Sequence, residues 1–334
     1  MEWKQGFTAT YYATIVDPQS WRDISRFEII DGQVTRDDDS LMQSADVTCT
    51  NYDPSKEQWI RIYLEARQGN SGERHALFTG LATSPERDIN GTLSTYPLQC
   101  YSVLKPAEDI LLQRGWYAPV DIPGTRMIEE LLSVCPAPIE YEDGAPSLTE
   151  AIIAEDGESN LSMAQKIVEA IGWRIRITGD GIIQILPKAT EPKAMFDTVQ
   201  NDVIRPEINV TEDWFECPNV FRAVSDELSG IARDDDPDSP LSTVSRGREV
   251  WMEETDCDFA DDETIADYAL RRLIEEQSYY KTASYSRRFY PDIYPTDLIR
   301  LHYPAQHIDG VYRVNSQDIT FDYGAETNEE VSNE

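Results

Sequence analysis

The sequence predicts a mixed β and α+β protein, β-rich at both ends and helical in the middle. Three observations carry this. In Trp59-Ile60-Arg61-Ile62-Tyr63-Leu64-Glu65-Ala66-Arg67 the even positions are all apolar, and the odd ones are polar or amphipathic. That is the period of a strand with one buried face. Between Leu161 and Ile171 the apolar residues Leu161, Ala164, Ile167, Val168 and Ile171 follow a helical stripe. From Asn219 onward short strand patterns resume, interrupted by one amphipathic stretch containing Ile265, Ala269, Leu270, Leu273 and Ile274.

Residues 1–104 read as strands divided by turns, the pattern of a small antiparallel barrel or sandwich. Phe27–Ile30 runs into Asp31-Gly32, a hairpin turn signal. Ala45, Val47 and Cys49 alternate with polar residues, Ala76–Leu81 forms a further strand, and Leu93–Val103 follows the turn Asn90-Gly91. The pattern changes near Lys105-Pro106. A short helix is expected over Ala107–Gln113, with Pro106 in its first turn, and a second over Thr125–Val134, stopped by Pro136. The third helix is capped by Ser159 or Asn160 and ended by Gly172. It leads into the strand Trp173–Ile177, the turn Gly179-Asp180-Gly181 and the return strand Ile182–Leu186. Residues 105–190 therefore form an α+β region, and 191–218 read as a connector. Residues 219–324 read as β-rich with one helix at about 262–280, starting at Asp261-Asp262; its strands include Leu298–His302, Val311–Asn315 and Gln317–Asp322. Residues 325–334 read as a frayed polar tail.

Composition narrows the function. The chain has 334 residues, with 62 Asp and Glu against 29 Lys and Arg, a formal charge of −33. At roughly 150 residues per domain this length suggests two or three domains. Hydrophobic residues make up 40%, enough for a packed core. The charge argues against gripping nucleic acid or docking on an anionic membrane. No apolar run approaches the roughly 18 residues of a spanning helix, and Met1-Glu2-Trp3-Lys4-Gln5 lacks the build of a signal peptide. Cys49, Cys100, Cys135, Cys217 and Cys257 are odd in number and widely spaced, so they read as reduced, mostly buried thiols.

No catalytic, cofactor-binding or metal motif stands out. The three histidines, His75, His302 and His307, form no HExxH, and there is no GxSxG, Walker A or GxGxxG. With 62 acidic residues some carboxylate pair always looks plausible, which drains any one pair of information. Asp37-Asp38-Asp39 and Asp234-Asp235-Asp236 lack the alternating oxygen ligands and distal Glu of a calcium loop and read as solvated acidic loops. The aromatics Tyr279, Tyr280 and Tyr285, at the end of the late helix and just beyond, are candidates for subunit contact, with core packing as the alternative.

The order of the pieces is what becomes recognisable. Leu161–Trp173 followed by Gly179-Asp180-Gly181 and an apolar strand resembles the tail hub proteins of bacteriophages, which relate to the hub part of VgrG-like spike proteins. So does the pair Tyr294-Pro295-Thr296-Asp297-Leu298-Ile299-Arg300-Leu301 and Gly310-Val311-Tyr312-Arg313-Val314, similar to the family's P-G-D-x-V-x-L and G-x-Y-x-V strands, with Thr296 in place of Gly. Phe78-Thr79-Gly80 matches the family's F-x-G strand. The resemblance implies two small antiparallel tube-type barrels, 1–104 and 219–324, flanking the α+β insertion. It implies a homotrimeric ring that adapts a sixfold tail tube to a threefold tip, with no enzymatic role and no cofactor. The implied partners are a tube or distal tail ring protein, a spike or fibre, and a tape-measure protein. DNA would pass through an acidic lumen without specific binding, and Asp37, Asp38, Asp39, Asp234, Asp235 and Asp236 are the candidate lumen or solvent acids. A contractile-machine hub often carries a fused needle; this chain ends soon after Asp322, so a spike is expected on a separate chain. The alternatives are the hub of a contractile injection system, a tail-tip cell-wall hydrolase and a receptor-binding module.

Overall fold

A computed structural model of the chain describes all residues except 39–42, 84–85, 92, 198–203, 213, 226–227, 258–262, 279 and 334. The N-terminal strands are β1 (Thr8–Val16), β2 (Asp23–Asp37), β3 (Gln43–Thr50), β4 (Gln58–Gln68), β5 (Ser71–Ala82), β6 (Asp88–Asn90) and β7 (Leu93–Ser102). Their pairings run β1-β4-β5-β7-β3-β2, and β2 pairs again with β1, so this path returns on itself. The alternation at residues 59–67 does what its period predicts: Ile60, Ile62, Leu64 and Ala66 of β4 are buried in the core of this unit. The opposite face is drier than expected. Arg61 and Tyr63 are also buried, because Arg61 donates to Thr79 Oγ1, Asp23 Oδ1 and the Asp180 carbonyl, and Asp180 belongs to the turn expected at 179–181.

One predicted turn is absent. β2 runs straight through Asp31-Gly32, with a register shift between Ile29 and Asp31 against β3. Gly32 is needed for proximity here: a Cβ would meet the Asp46 carbonyl oxygen at 2.6 Å. The dipeptide therefore marks a bulge, which bends a strand instead of reversing it.

The middle region comprises α1 (Lys105–Asp109), β8 (Tyr117–Ala118), α2 (Gly124–Leu132), β9 (Ile139–Tyr141), β10 (Ile152–Ile153), α3 (Asn160–Ala170), β11 (Trp173–Ile177) and β12 (Ile183–Pro187). Ser159 caps α3 by accepting from the Ser162 N–H, and Ile167, Ile128 and Leu132 pack α3 against α2 in a separate core. α1 is shorter than expected. From Ile110 the backbone is extended, and Leu111 bridges Ser159 as part of a ribbon that includes β8 and β10.

The C-terminal strands depart most from the expectation. The stretch read as a connector contains β13 (Ala194–Asp197) and β14 (Ile204–Glu212). Next come β15 (Val220–Ser225), β16 (Leu228–Arg233), α4 (Thr243–Arg246), β17 (Trp251–Thr255) and α5 (Ile265–Ser278). The helix start expected at 261–262 lies outside the described residues. β15, β16 and β17 form their own three-stranded sheet, with Ala269 and Leu273 of α5 packed in its core. The remaining strands are β18 (Lys281–Arg288), β19 (Leu298–Tyr303), β20 (Ile308–Thr320) and β21 (Glu326–Asn333). They join β13 and β14 in the order β13-β19-β20-β21-β18-β14. The β-rich stretch 219–324 is thus divided between two sheets. Residues 326–333, read as a tail, form a strand paired on both sides, with Thr327, Glu329, Val331 and Ser332 buried. The sequence conceals it because two of its inward side chains, Thr327 and Glu329, are polar. Finally β2 pairs with β20, fusing both β units into one 13-stranded sheet.

Candidate functional site

The β2–β20 pairing creates the most distinctive surface of the molecule. Seven strands lie side by side in the order β7-β3-β2-β20-β21-β18-β14. Side chains of a strand alternate between faces, so the register defines which residues share the outer one. One row runs Tyr101, Ser44, Thr35, Asp318, Asn328, Ser286 across six of these strands. The next rows run Gln99, Asp46, Gln33, Thr320 and Ser316, Glu330, Ser284, Asn209. Every one of these residues is polar or aromatic-polar, and none is Lys or Arg. Thr35 donates to Asp318 at 2.6 Å and Ser286 to Asn328 at 2.6 Å, so hydroxyls and amides are tied along the surface. Two shallow troughs, 650 and 560 Å³, lie on this face, and their linings contain Glu207, Asp318, Glu330, Asp31, Asp46 and Glu86 but no cation.

Directly behind this face lies a buried polar row. Arg36, Gln317, Glu329 and Tyr285 stand opposite one another on β2, β20, β21 and β18. Arg36 donates to Gln317 at 3.2 Å, Gln317 to Glu329 at 2.7 Å and Tyr285 to Glu329 at 2.7 Å, while Arg287 grips Glu329 through two nitrogens at 2.9 and 2.6 Å. Burial pushes the Glu329 carboxyl up, but the Arg287 charge and the hydrogen bonds outweigh it and hold it below its ordinary range. The network spans the seam between the two β units and fixes their relative register.

The insertion is fastened to both units. Its turn at 178–181 sits against β5, where Thr79 donates to the Gly179 carbonyl at 2.8 Å, and Trp21 donates to the Asp180 carbonyl at 2.9 Å. A Cβ at Gly179 would lie 1.8 Å from the Ala76 carbonyl oxygen, so only glycine allows this approach. On the other side, Asp297 is fully buried and accepts from Arg174 at 3.1 Å, Arg176 at 3.2 Å, Lys193 at 2.8 Å and the Tyr294 N–H at 3.0 Å. Burial, more than the opposing attraction of Asp297, lowers the pKa of Arg174 and of Lys193. Thr296, standing where the family motif has Gly, has a φ of +70°. Its carbonyl and hydroxyl oxygens both accept from Arg174.

The residues singled out from the sequence are scattered. Asp37 ends β2 opposite Ser316, at the end of the outer face. Asp38 lines a 490 Å³ cavity between the insertion and the C-terminal strands, and Asp39 lies outside the described residues. Asp234, Asp235 and Asp236 are elsewhere, in the loop before α4. There Asp234 accepts from Ser239 at 2.6 Å and from Gln277, Asp235 bonds the Thr243 hydroxyl, and Asp236 accepts the Asp238 N–H at 2.9 Å. They fold that loop. Tyr285 is only 4% exposed and bonded to Glu329, which places it in the core in place of a subunit contact. Tyr280 is half-buried at a pocket rim, and Tyr279 lies outside the described residues. All five cysteines are buried, and burial pushes the Cys49 thiol up to about 12. Among the described residues no group of His, Cys, Asp and Glu is arranged to hold a metal ion. No helix of the described residues is long and apolar enough to cross a membrane.

No protein-family model matches the chain, and no curated protein matches it by sequence. Solved structures do match in fold. A tail protein from Neisseria meningitidis MC58 superposes with a TM-score of 0.71 at 12% identity, covering 98% of this chain and 97% of that one. The 43 kDa tail protein of prophage MuSo2 from Shewanella oneidensis gives 0.65 at 12% identity, covering 96% and 97%. The E. coli c3393 protein, a component of the type VI secretion system described as similar to the T4 tail proteins gp27 and gp5, gives 0.53 at 7% identity, covering 91% and 73%. The chain therefore has the fold of phage tail proteins, one it shares with a secretion-system component. The resemblance to tail hub proteins in the motif order of the sequence holds at the level of the fold.

Proposed function

We propose that the chain is the structural hub of a phage tail, residing in the virion tail. The observation that carries this reading is the end-to-end match: two tail proteins, one of them from a prophage, are covered over 97% of their length. In this reading three copies form a ring, and the N-terminal circuit and the C-terminal strands act as two tube-type barrels per copy. Six similar units then meet a sixfold tube on one side, while the threefold ring receives a spike or fibre on the other. A distal tail ring protein and a tape-measure protein are further partners.

The outer face of the seven strands is the natural lumen wall of such a ring. Duplex DNA carries about one negative charge per 1.7 Å of axis and is held by clustered cations. The rows described hold acids, hydroxyls and amides; at the end of the face Arg288 stands opposite Glu326, to which Arg205 is already paired, so the wall offers DNA no run of clustered cations. Three copies would carry three times −33, or −99, which adds long-range repulsion. Electron microscopy of the purified protein at moderate salt tests the ring. End views with threefold symmetry and an open centre are expected; compact single particles, alone and with its tube partner, would overturn the reading. The hub of a contractile injection system is the second reading, favoured by the likeness to the secretion component.

A further inference from the structure

A chain this acidic repels other acidic chains, except where its local charge reverses. One pocket of the structure reverses it. A 630 Å³ pocket opens between the end of β14, α4 and the residues before β18, with Trp214, Leu241, Arg246, Arg248, Tyr280 and Glu212 in its lining. Arg246 donates to the Cys217 carbonyl at 2.6 Å and to the Phe215 carbonyl at 2.8 Å, and Arg248 donates to the same Phe215 oxygen. Two guanidinium groups thus converge on one carbonyl oxygen, and among the described residues neither has a carboxylate within salt-bridge distance. The one acid in the lining, Glu212, is already paired with Lys281 at 3.2 Å.

The arginines are positioned to display charge. Arg248 is exposed, and its guanidinium lies 4.7 Å over the Phe215 ring and makes no hydrogen bond other than that to the Phe215 carbonyl among the described residues. The Nε of Arg246 is buried without a partner among the described residues. Like charges held together without a counter-ion are costly, and a carboxylate arriving between them relieves that cost. Beside them Trp214 is 53% exposed, an aromatic face ready to be covered, and Leu241 and half-buried Tyr280 line the same pocket.

We propose that this pocket takes an acidic peptide segment of a partner chain, its carboxylates meeting Arg248 and Arg246 and a neighbouring apolar side chain packing on Trp214. Charge complementarity selects the acid, and the exposed indole selects a peptide over a bare anion. Nothing in this depends on the ring proposed above.

The test uses the full chain and a fluorescein-labelled, blocked pentapeptide of glutamates around a central leucine, read by anisotropy at about 0.15 M salt. Binding in about the micromolar range is expected, with an all-glutamine analogue failing to bind. Arg248→Gln and, separately, Trp214→Ala should each weaken binding about tenfold, since each removes roughly 1.4 kcal/mol or more of contact. Both residues are exposed, so native circular dichroism and thermal unfolding are expected for these variants. Equal affinity for the analogue, or an unchanged affinity in natively folded Arg248→Gln, would overturn the proposal. So would displacement by inorganic phosphate combined with indifference to Trp214→Ala, which would define a simple anion site. Self-association in analytical ultracentrifugation that competes with the peptide and vanishes in Arg248→Gln would make the occupant a second copy, again overturning it.

Discussion

Glu329 concentrates several of the forces in this fold. It is buried, it serves Arg287, Tyr285 and Gln317 together, and it sits where the two β units are joined. Removing one partner of a buried ion pair strands the other charge. Glu329→Gln should therefore lower stability by about 3–5 kcal/mol in urea unfolding. Its carboxyl is held below the ordinary 4.5 in the folded chain. A depressed folded pKa stabilises at pH values above the unfolded one and loses that contribution as pH falls through the folded value. Wild-type stability should decline below about pH 4.5, and in Glu329→Gln the acid limb should be flatter. Thr296 offers a finer test. Its left-handed backbone costs about 1 kcal/mol or more, while its hydroxyl accepts from Arg174. Thr296→Gly should be close to neutral, because relief of strain offsets the lost bond. Thr296→Val keeps the strain and loses the acceptor, and should cost about 1 kcal/mol in the same assay. The sequence shows Thr296 as the odd residue in its motif. Only the structure shows that Arg174, 122 positions away, compensates it.

Single elements were legible where one face is apolar and the other polar. The stripe on α3, the strand at 59–67 and the hairpin after Gly172 all follow from local periodicity. β21 and β14 were not legible, because their contacts are made by polar residues or lie in a stretch that looks like a linker. What the sequence could not show at all is how the elements dock. The turn at 179–181 was readable as a turn, yet its glycine is required by β5 and not by the turn alone. Gly179→Ala should push the hairpin off β5 and expose Arg61 and Trp21. Loss of stability by about 2 kcal/mol or more, with faster amide exchange in β11 and β12 than in β4, is the expected result. Asp297→Asn acts on the opposite side of the insertion. It leaves Arg174, Arg176 and Lys193 without their shared carboxylate and should cost about 3–5 kcal/mol.

For the whole molecule, the acidic charge was plain from composition, but its arrangement was not. Of the two acid runs in the sequence, Asp234-Asp235-Asp236 folds a loop, whereas Asp46, Asp318 and Glu330 reach one continuous face through strands far apart in the chain. If that face lines a ring, replacing Asp46, Asp318 and Glu330 together by Lys should leave tails assembling normally and slow genome ejection. An unchanged ejection rate in particles carrying the triple variant would remove the lumen assignment. All three side chains lie on the outer face of the sheet, so native thermal unfolding of the isolated variant is expected and separates this effect from misfolding.

The β2–β20 seam also sets a clock. The N-terminal circuit involves only residues up to 102 and is complete early in synthesis. The far edge of β2, from Gln33 to Asp37, then waits for Ser316–Thr320. At roughly 5–20 residues per second, that is a delay of about 10–45 s with an unpaired strand edge exposed on the nascent chain. Nascent chains crowded on one message would be most exposed to wrong strand pairing in that interval. Slower growth temperatures, which favour orderly pairing, should raise the soluble yield of this protein more than that of its first 104 residues expressed alone.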